Sequence, residues 1–455
     1  MLMWTEDQAR ALVPDAGTLK RGLELATPPK WQNLGQTAAA AWGECQGSGA
    51  KPYQTGIDLT EPAFKCSCPS RVFPCKHGAA LLLLLARQPQ LFGPATPPPW
   101  LQEWLDKRQH APARKAAPAA APAAPAAAPA PDAATASAPG VAVSAARLER
   151  MQRGAAELLH WLHDLIGAGL AQAEQRPAGF WENQAARLVD DQLPGLAAAL
   201  RELPDLRQQG PDWPARQLAR LGELYLLAAA FGRLNELPGA LRADVLQLVG
   251  VSVKKEDVLG RQPAVADSWQ VLGQVTSEEE RLLARRSWLW GQRTGRYALV
   301  LEYAFGGQAF GTALVPGGQY RGELAFYPGA RALRAVVGPA WTFEGLHDDI
   351  LDPGLTPAAL LDAYATALGQ LPWLREWPAT LAGVVPRPGP DGTVQLCHPG
   401  SGQQLPLHPA SELGWELLAV SGGYPITVFG EWDGRALLPI TYTGAAAPPT
   451  PAAAL

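Results

Sequence analysis

The sequence predicts a multidomain α+β protein, and three observations carry that expectation. A Cys/His-rich window near the N-terminus lies between a strand-like and a helix-like pattern. A nearly pure alanine and proline run within 111–144 separates it from the rest of the chain. Beyond that run, helical periodicity over 145–255 gives way to alternating, turn-punctuated patterns over 256–444. At about 100 to 200 residues per domain, a 455-residue chain holds several units. With 47% hydrophobic and 18% charged residues, it is not disordered throughout.

In the first module, residues 1–110, Tyr53, Thr55, Ile57 and Leu59 alternate with Gln54, Gly56 and Asp58, the period of a half-buried strand. Cys66-Ser67-Cys68 comes next, then six residues, then Cys75-Lys76-His77. Three thiolates and an imidazole within twelve residues match Cys₃His, one of the usual tetrahedral zinc sets. For Cys66 and Cys68 to reach one ion, Ser67 must lie at a bend or strand end. Pro69-Ser70 begins a turn, Pro74 stiffens the return to Cys75, and Gly78 to Ala86 is strongly helix-forming. The expected core, about residues 50–92, is therefore a small ββα unit stapled by one Zn2+. Four protein ligands leave no open position, so the zinc is expected to be structural, contributing on the order of 10 to 16 kcal/mol as in finger peptides. A catalytic Cys/His pair would need one activated nucleophile and no third or fourth ligand. Leu81 to Leu85 reads as the module's core, in an apolar stretch about half the length of a membrane span.

The five cysteines, few and odd in number, argue against a disulfide scaffold. Met1 to Ala11 shows no basic region followed by an apolar stretch, so a cytoplasmic protein without a membrane segment is expected. Cys45, in the Gly-rich stretch Gly43 to Gly49, reads as a buried thiol in a turn, because four ligands already suffice and no P-loop Lys-Ser or Lys-Thr comes after it. The net charge of −4 combines a slightly basic first module, 11 Lys and Arg against 9 Asp and Glu, with an acidic remainder, 27 against 33. Lys65, Arg71 and Lys76 beside the ligands are candidate phosphate contacts for DNA. They would serve equally to offset thiolate charge.

The spacer, 111–144, is expected to be disordered, as is the similar tail, 445–455. Leu148, Met151, Ala155, Leu158, Leu162 and Leu165 then mark an amphipathic helix. A second helical run, 183–203, is interrupted near Pro194. A third starts at Pro214 with Leu218, Leu221, Tyr225, Ala228 and Phe231 on one face. The echo of Leu193-Pro194-Gly195 in Leu237-Pro238-Gly239 hints at paired-helix repeats, but a plain bundle is the better account.

In the β-rich region, Ser268 to Val275, Ser287 to Trp290, Tyr297 to Phe305 and Gln319 to Phe326 read as antiparallel strands. Ser277 with Glu280 resembles a capping box opening a short helix through Arg286. Arg281, Arg285, Arg286, Arg293 and Arg296 interleave with Trp288, Trp290 and Tyr297, a mixture able to stack single-stranded nucleic acid. The preferred account puts the tryptophans in a core and the arginines on its solvated side. His347 with Asp348, Asp349 and Asp352 lacks a completing ligand and reads as a loop ahead of a helix over 356–371. Short strands from Leu381 to Tyr442, turning at Pro390-Asp391-Gly392 and Asp433-Gly434, suit a small barrel or sandwich. Cys397, His398 and His408 are isolated and carry no assigned role.

The segment Ala63 to Ser70 with Phe73-Pro74-Cys75-Lys76-His77 resembles the SWIM zinc finger, whose pattern is Cys-x-Cys, a spacer, then Cys-x-His. Trp42 to Gly49 with Pro52-Tyr53 is similar to the lead-in of bacterial members. The resemblance covers about residues 40 to 92 and implies zinc at Cys66, Cys68, Cys75 and His77 and a role in binding DNA or protein. It further implies association with AAA+-type ATPases and von Willebrand A-domain proteins. No recognisable catalytic set accompanies it, so a recognition protein is expected; the alternative is an enzyme in the C-terminal half, which would need a pocket with convergent polar groups.

Overall fold

A computed structural model describes residues 4–13, 15–46, 51–60, 62–70, 72–109, 143–169, 176–210, 212–260, 264–279, 282–305, 310–389 and 392–444. The expected disorder of the spacer and tail falls almost wholly outside them; Val143, at the spacer's end, is buried in the helical core.

The first module is larger than a free ββα unit. After helices α1 (Glu6–Ala11) and α2 (Ala16–Leu25), strands β1 (Trp31–Gln36), β2 (Ala40–Cys45), β3 (Tyr53–Asp58) and β4 (Ala63–Cys66) precede α3 (Lys76–Arg87), β5 (Gly93–Pro94) and α4 (Pro99–Gln109). They form a five-stranded sheet in the order β4-β3-β2-β1-β5. Thr5 and Gln8 close a capping box on α1, and Asp15 caps α2. Cys45 is buried as expected, but on strand β2 and not in a turn, because Trp42 to Cys45 pair in register with Tyr53 to Gly56. Thr55 to Leu59, expected to be half-buried, are buried throughout because both sheet faces are covered. Ile57 and Ala41 meet the leucines of α3, whereas Ala40 and Trp42 meet Leu101 and Leu105 of α4. Gly56 makes the second contact possible: a Cβ there would stand 2.5 Å from Leu101 Cδ1.

Residues 145–255 form a bundle of α5 (Ala145–Ala168), α6 (Ala178–Asp190), α7 (Pro194–Arg201), α8 (Trp213–Gly232) and α9 (Gly239–Leu248). Met151, Ala155, Leu158, Leu162 and Leu165 are buried along α5 as their spacing predicts. On α8 the buried stripe is rotated: Leu224 and Leu227 join Leu221, Ala228 and Phe231 inside, while Leu218 and Tyr225 are exposed. That helix carries more apolar residues than one stripe holds, so its neighbours decide which face is covered; Tyr225 instead meets the His163 ring of α5 at 5.4 Å. The two Leu-Pro-Gly copies are not equivalent. Gly195 lets α7 abut the end of α9, its N–H donating to Val249 O at 3.1 Å, whereas nothing lies near Gly239.

After α10 (Lys255–Leu259), strands β6 (Val265–Glu279), β7 (Leu282–Gly291), β8 (Arg296–Phe305), β9 (Gly318–Phe326) and β10 (Arg334–Leu346) close a barrel in the order β10-β8-β7-β6-β9. The short helix expected from Ser277 through Arg286 is a hairpin instead, with Thr276 opposite Arg285 and Ser277 opposite Ala284. Barrel closure requires β7 to pair with β6 and β8 along its length, and those ladders override a local capping signal. Arg293 and Arg296 are exposed as expected and Arg281 lies outside the described residues, but Arg285 and Arg286 are not on a solvated face. Arg285 points inward with Ser287 and Leu289, binding Glu302 at 2.7 Å and lying over Phe310 at 4.2 Å. Arg286 shares the outward face with Trp288 and Trp290, where both Arg286 and Trp288 bond to Glu431.

The remaining elements are α11 (Pro357–Gln370), β11 (Trp377–Pro388), β12 (Val394–Cys397), β13 (Gln404–Pro406), α12 (Gly414–Ser421), β14 (Ile426–Trp432) and β15 (Leu437–Thr443). The strands form a second open sheet, β13-β12-β11-β14-β15. Asp433 caps the β14–β15 turn, where Gly434 adopts φ +94°. Asp352, buried, accepts from Tyr297, Thr380 and Gly354 N–H and so ties barrel to sheet. Gln8 Nε2 donates to Pro316 O at 3.0 Å, joining the first module to the barrel, and Gln247 Nε2 donates to Pro328 O at 2.7 Å, joining the bundle to it. No helix among the described residues is long and apolar enough to cross a membrane.

The junctions of the bundle can be tested by substitution. A Cβ at Gly195 would sit 1.9 Å from Leu248 O, so Gly195→Ala should cost about 1–3 kcal/mol or more in denaturant melts, whereas Gly239→Ala should be neutral or stabilise by up to about 1 kcal/mol. Burial raises the Asp244 carboxyl to about 6, against the lowering effect of the Ala330 N–H it accepts. The fold therefore favours its protonated form, and the stability that Asp244 itself costs should be recovered as pH falls from about 6 towards 4. Asp244→Asn should be more stable than wild type at pH 8 and lose that advantage below pH about 4, as read from melts across that range.

Candidate metal centre

The four candidate ligands come from a strand end, a loop and a helix start. β4 pairs with β3 only as far as Cys66, opposite Thr55. Ser67 then leaves the ladder, its Oγ accepting from Gln54 N–H at 2.9 Å and its own N–H donating to Gln54 O at 3.0 Å. This is the bend that the Cys-x-Cys spacing requires. The chain returns through Phe73 and Pro74 to Cys75, the N-cap of α3, whose Sγ accepts from Gly78 N–H at 3.5 Å. His77 lies inside the first turn.

The ligand atoms of Cys66, Cys68, Cys75 and His77 all lie within 4.8 Å of one another, close enough to hold a metal ion. His77 Nδ1 is 3.7 Å from Cys66 Sγ. Around a tetrahedral zinc with bonds of about 2.3 Å, sulfur atoms stand about 3.7 Å apart, so the donor types and their spread fit such an ion. Cys75 and His77 are buried, Cys66 and Cys68 half-buried. The Tyr53 ring covers His77 at 4.7 Å between centroids. Gly78 admits Phe64, whose Cδ1 would meet a Cβ there at 3.0 Å.

Without an ion the cluster shares its protons unequally. The Cys66 thiol donates to Cys75 and, with His77 and the Gly78 N–H, holds the Cys75 thiol down to about 3 against the opposing effect of burial. Cys66 is pushed up by that same bond and by burial, and Cys68 chiefly by burial. The positive end of α3 also faces the site and favours thiolate there.

The three basic candidates do not form a free cluster among the described residues. Lys65 Nζ donates to Trp100 O at 3.1 Å and stands 6.0 Å from the centre of that ring, so α4 holds it. Lys76 is exposed, and Arg71 lies outside the described residues. Cys45 is not part of the cluster; burial raises its thiol. The His347 segment is a loop as expected, and Asp352 within it is the structural acceptor described above. Sequence reasoning missed Thr55, whose Oγ1 is 3.4 Å from Cys66 Sγ, and Tyr53. Both lie on the strand it read, but their roles needed the β3–β4 register.

Residues 146–249 match the family of the SWIM-associated four-helix bundle domain, the region occupied here by α5 to α9. No curated protein and no solved structure matches the chain. The bundle suggests a SWIM-type protein, and ahead of it the chain carries a Cys₃His set close enough to hold a metal ion.

A divalent ion held by these groups competes with protons for thiols, which lowers its affinity in acid. Release from the metal-loaded protein into a chromogenic chelator should therefore accelerate as pH falls from 7 to 5. Release that ignores pH would rule these thiols out as the ligands.

Proposed function

We propose that the chain is a zinc-binding SWIM-type recognition protein whose metal shapes a protein-binding module. The convergence of three sulfurs and one imidazole nitrogen within 4.8 Å, at the head of a chain with a SWIM-associated bundle, carries this reading. Four protein donors satisfy zinc without an open position, which supports a structural and not a catalytic ion.

A protein partner is favoured over DNA by the fate of the basic candidates. Binding through phosphate contacts needs several free cations acting together, and Lys65 is engaged by Trp100. An AAA+-type ATPase or a von Willebrand A-domain protein is the partner class that the family resemblance implies.

Metal analysis of the purified chain should find one zinc in wild type and none in Cys66→Ser or His77→Ala. Co-expressed AAA+ or von Willebrand A-domain partners should then be retained by the wild type and lost on chelation. Zinc-free wild-type protein would sink the metal assignment. Tight binding of a DNA duplex, falling steeply with salt and on Lys76→Gln, would replace the protein reading with the nucleic-acid one.

A further inference from the structure

A cavity of about 500 Å³ opens where the bundle, the barrel and the segment leading to β11 meet. Ligand sites commonly measure about 300–1,000 Å³ and join an apolar body to a few polar anchors. None of its walls belongs to the Cys/His unit. Leu224, Leu227, Trp288, Leu299 and Trp373 supply apolar wall. The walls are pinned by hydrogen bonds that cross between units: Trp373 Nε1 to Glu223 O at 3.0 Å and Gln247 Nε2 to Pro328 O at 2.7 Å.

Five arginines line this space, in two classes. Arg220 and Arg375 are neutralised by Glu202, with Glu223 also on Arg220, and Arg286 is neutralised by Glu431. Arg331 and Arg334 differ: each guanidinium lies against an aromatic ring, Arg331 on Trp377 at 5.1 Å and Arg334 on Tyr327 at 4.3 Å. Neither forms an ion pair with any described residue, and Arg331 Nε is buried without a hydrogen-bond partner. Of the other carboxyls in the wall, Asp244 is occupied by Ala330 N–H, and Glu376 stands 3.9 Å from Arg286. A guanidinium with one face on a ring keeps its N–H edge for a planar or tetrahedral anion.

We propose that this cavity binds a small organic anion, a carboxylate or phosphate group on an apolar body, with Arg331 and Arg334 holding the charge and Trp288, Leu299 and Trp373 the body. The group is bound between units, so its occupancy couples bundle to barrel.

The test is a fluorescence titration of the intact chain with 8-anilinonaphthalene-1-sulfonate, an aromatic anion. One saturable site is expected, weakened at least tenfold in Arg331→Gln/Arg334→Gln and unchanged in Arg233→Gln, an exposed bundle arginine. N-phenyl-1-naphthylamine, the same rings without the sulfonate, should bind at least tenfold more weakly. Ala198→Phe, filling the space from an exposed position on α7, should abolish the site with both arginines in place. Displacement by phenyl phosphate or by benzoate identifies which anionic group is preferred. The proposal is overturned if the arginine variant binds like wild type, if the neutral probe binds as tightly, if Ala198→Phe leaves the site intact, or if neither competitor displaces the dye.

Discussion

The packing of α3 between the first module's sheet and α1–α2 is the interaction on which the metal site depends. Leu81 to Leu84 are fully buried and Leu85 nearly so, and at about 1.5–3 kcal/mol per buried side chain they contribute on the order of 10 kcal/mol as an upper estimate. The same helix begins at Cys75 and His77. Burying its leucines therefore places two ligands, and the antiparallel pairing of β4 with β3 places Cys66 opposite them. The ion is expected to tighten an arrangement already shaped by apolar contact. Its cluster extends into the barrel through Trp269, Val271 and Leu289, so the metal module is not mechanically separate from the rest of the chain.

Features legible in the sequence are those whose signal is local. The ligand set spans twelve residues, and the alternation of Tyr53 to Leu59 and the periodicity of α5 need only one element each to be visible. The covering of β3 by α4 was not legible, because Gly56 and Leu101 are 45 residues apart and only the fold shows that one exists to admit the other. Strand β10 escaped notice because its Gly338 and Pro339 interrupt the pattern, yet β9 pairs with it around a register shift. The inward turn of Arg285 was hidden for a related reason: alternation says that Arg285 and Arg286 face opposite ways, but not which way is in. Glu302, seventeen residues on, makes the buried choice tolerable.

Polar groups define the junctions as much as apolar area does. Asp352 gathers Tyr297 from the barrel and Thr380 from the second sheet, while Glu431 receives Trp288 and Arg286 from the barrel. Each acceptor is buried and would be costly if left unpaired, so these contacts select one relative placement of the units. Apolar contacts alone, such as Leu272 and Trp288 against Phe429, would tolerate sliding.

The strand order of the first sheet gives the ligand loop a second consequence. β4 is an edge strand, and its ladder stops after four residues because the chain turns away at Cys66 to reach the cluster. An unfinished sheet edge is a template for the backbone of another molecule. Here the bend at Cys66 keeps that template short, so the turn that brings Cys66 to the cluster also guards the module against edge-to-edge association.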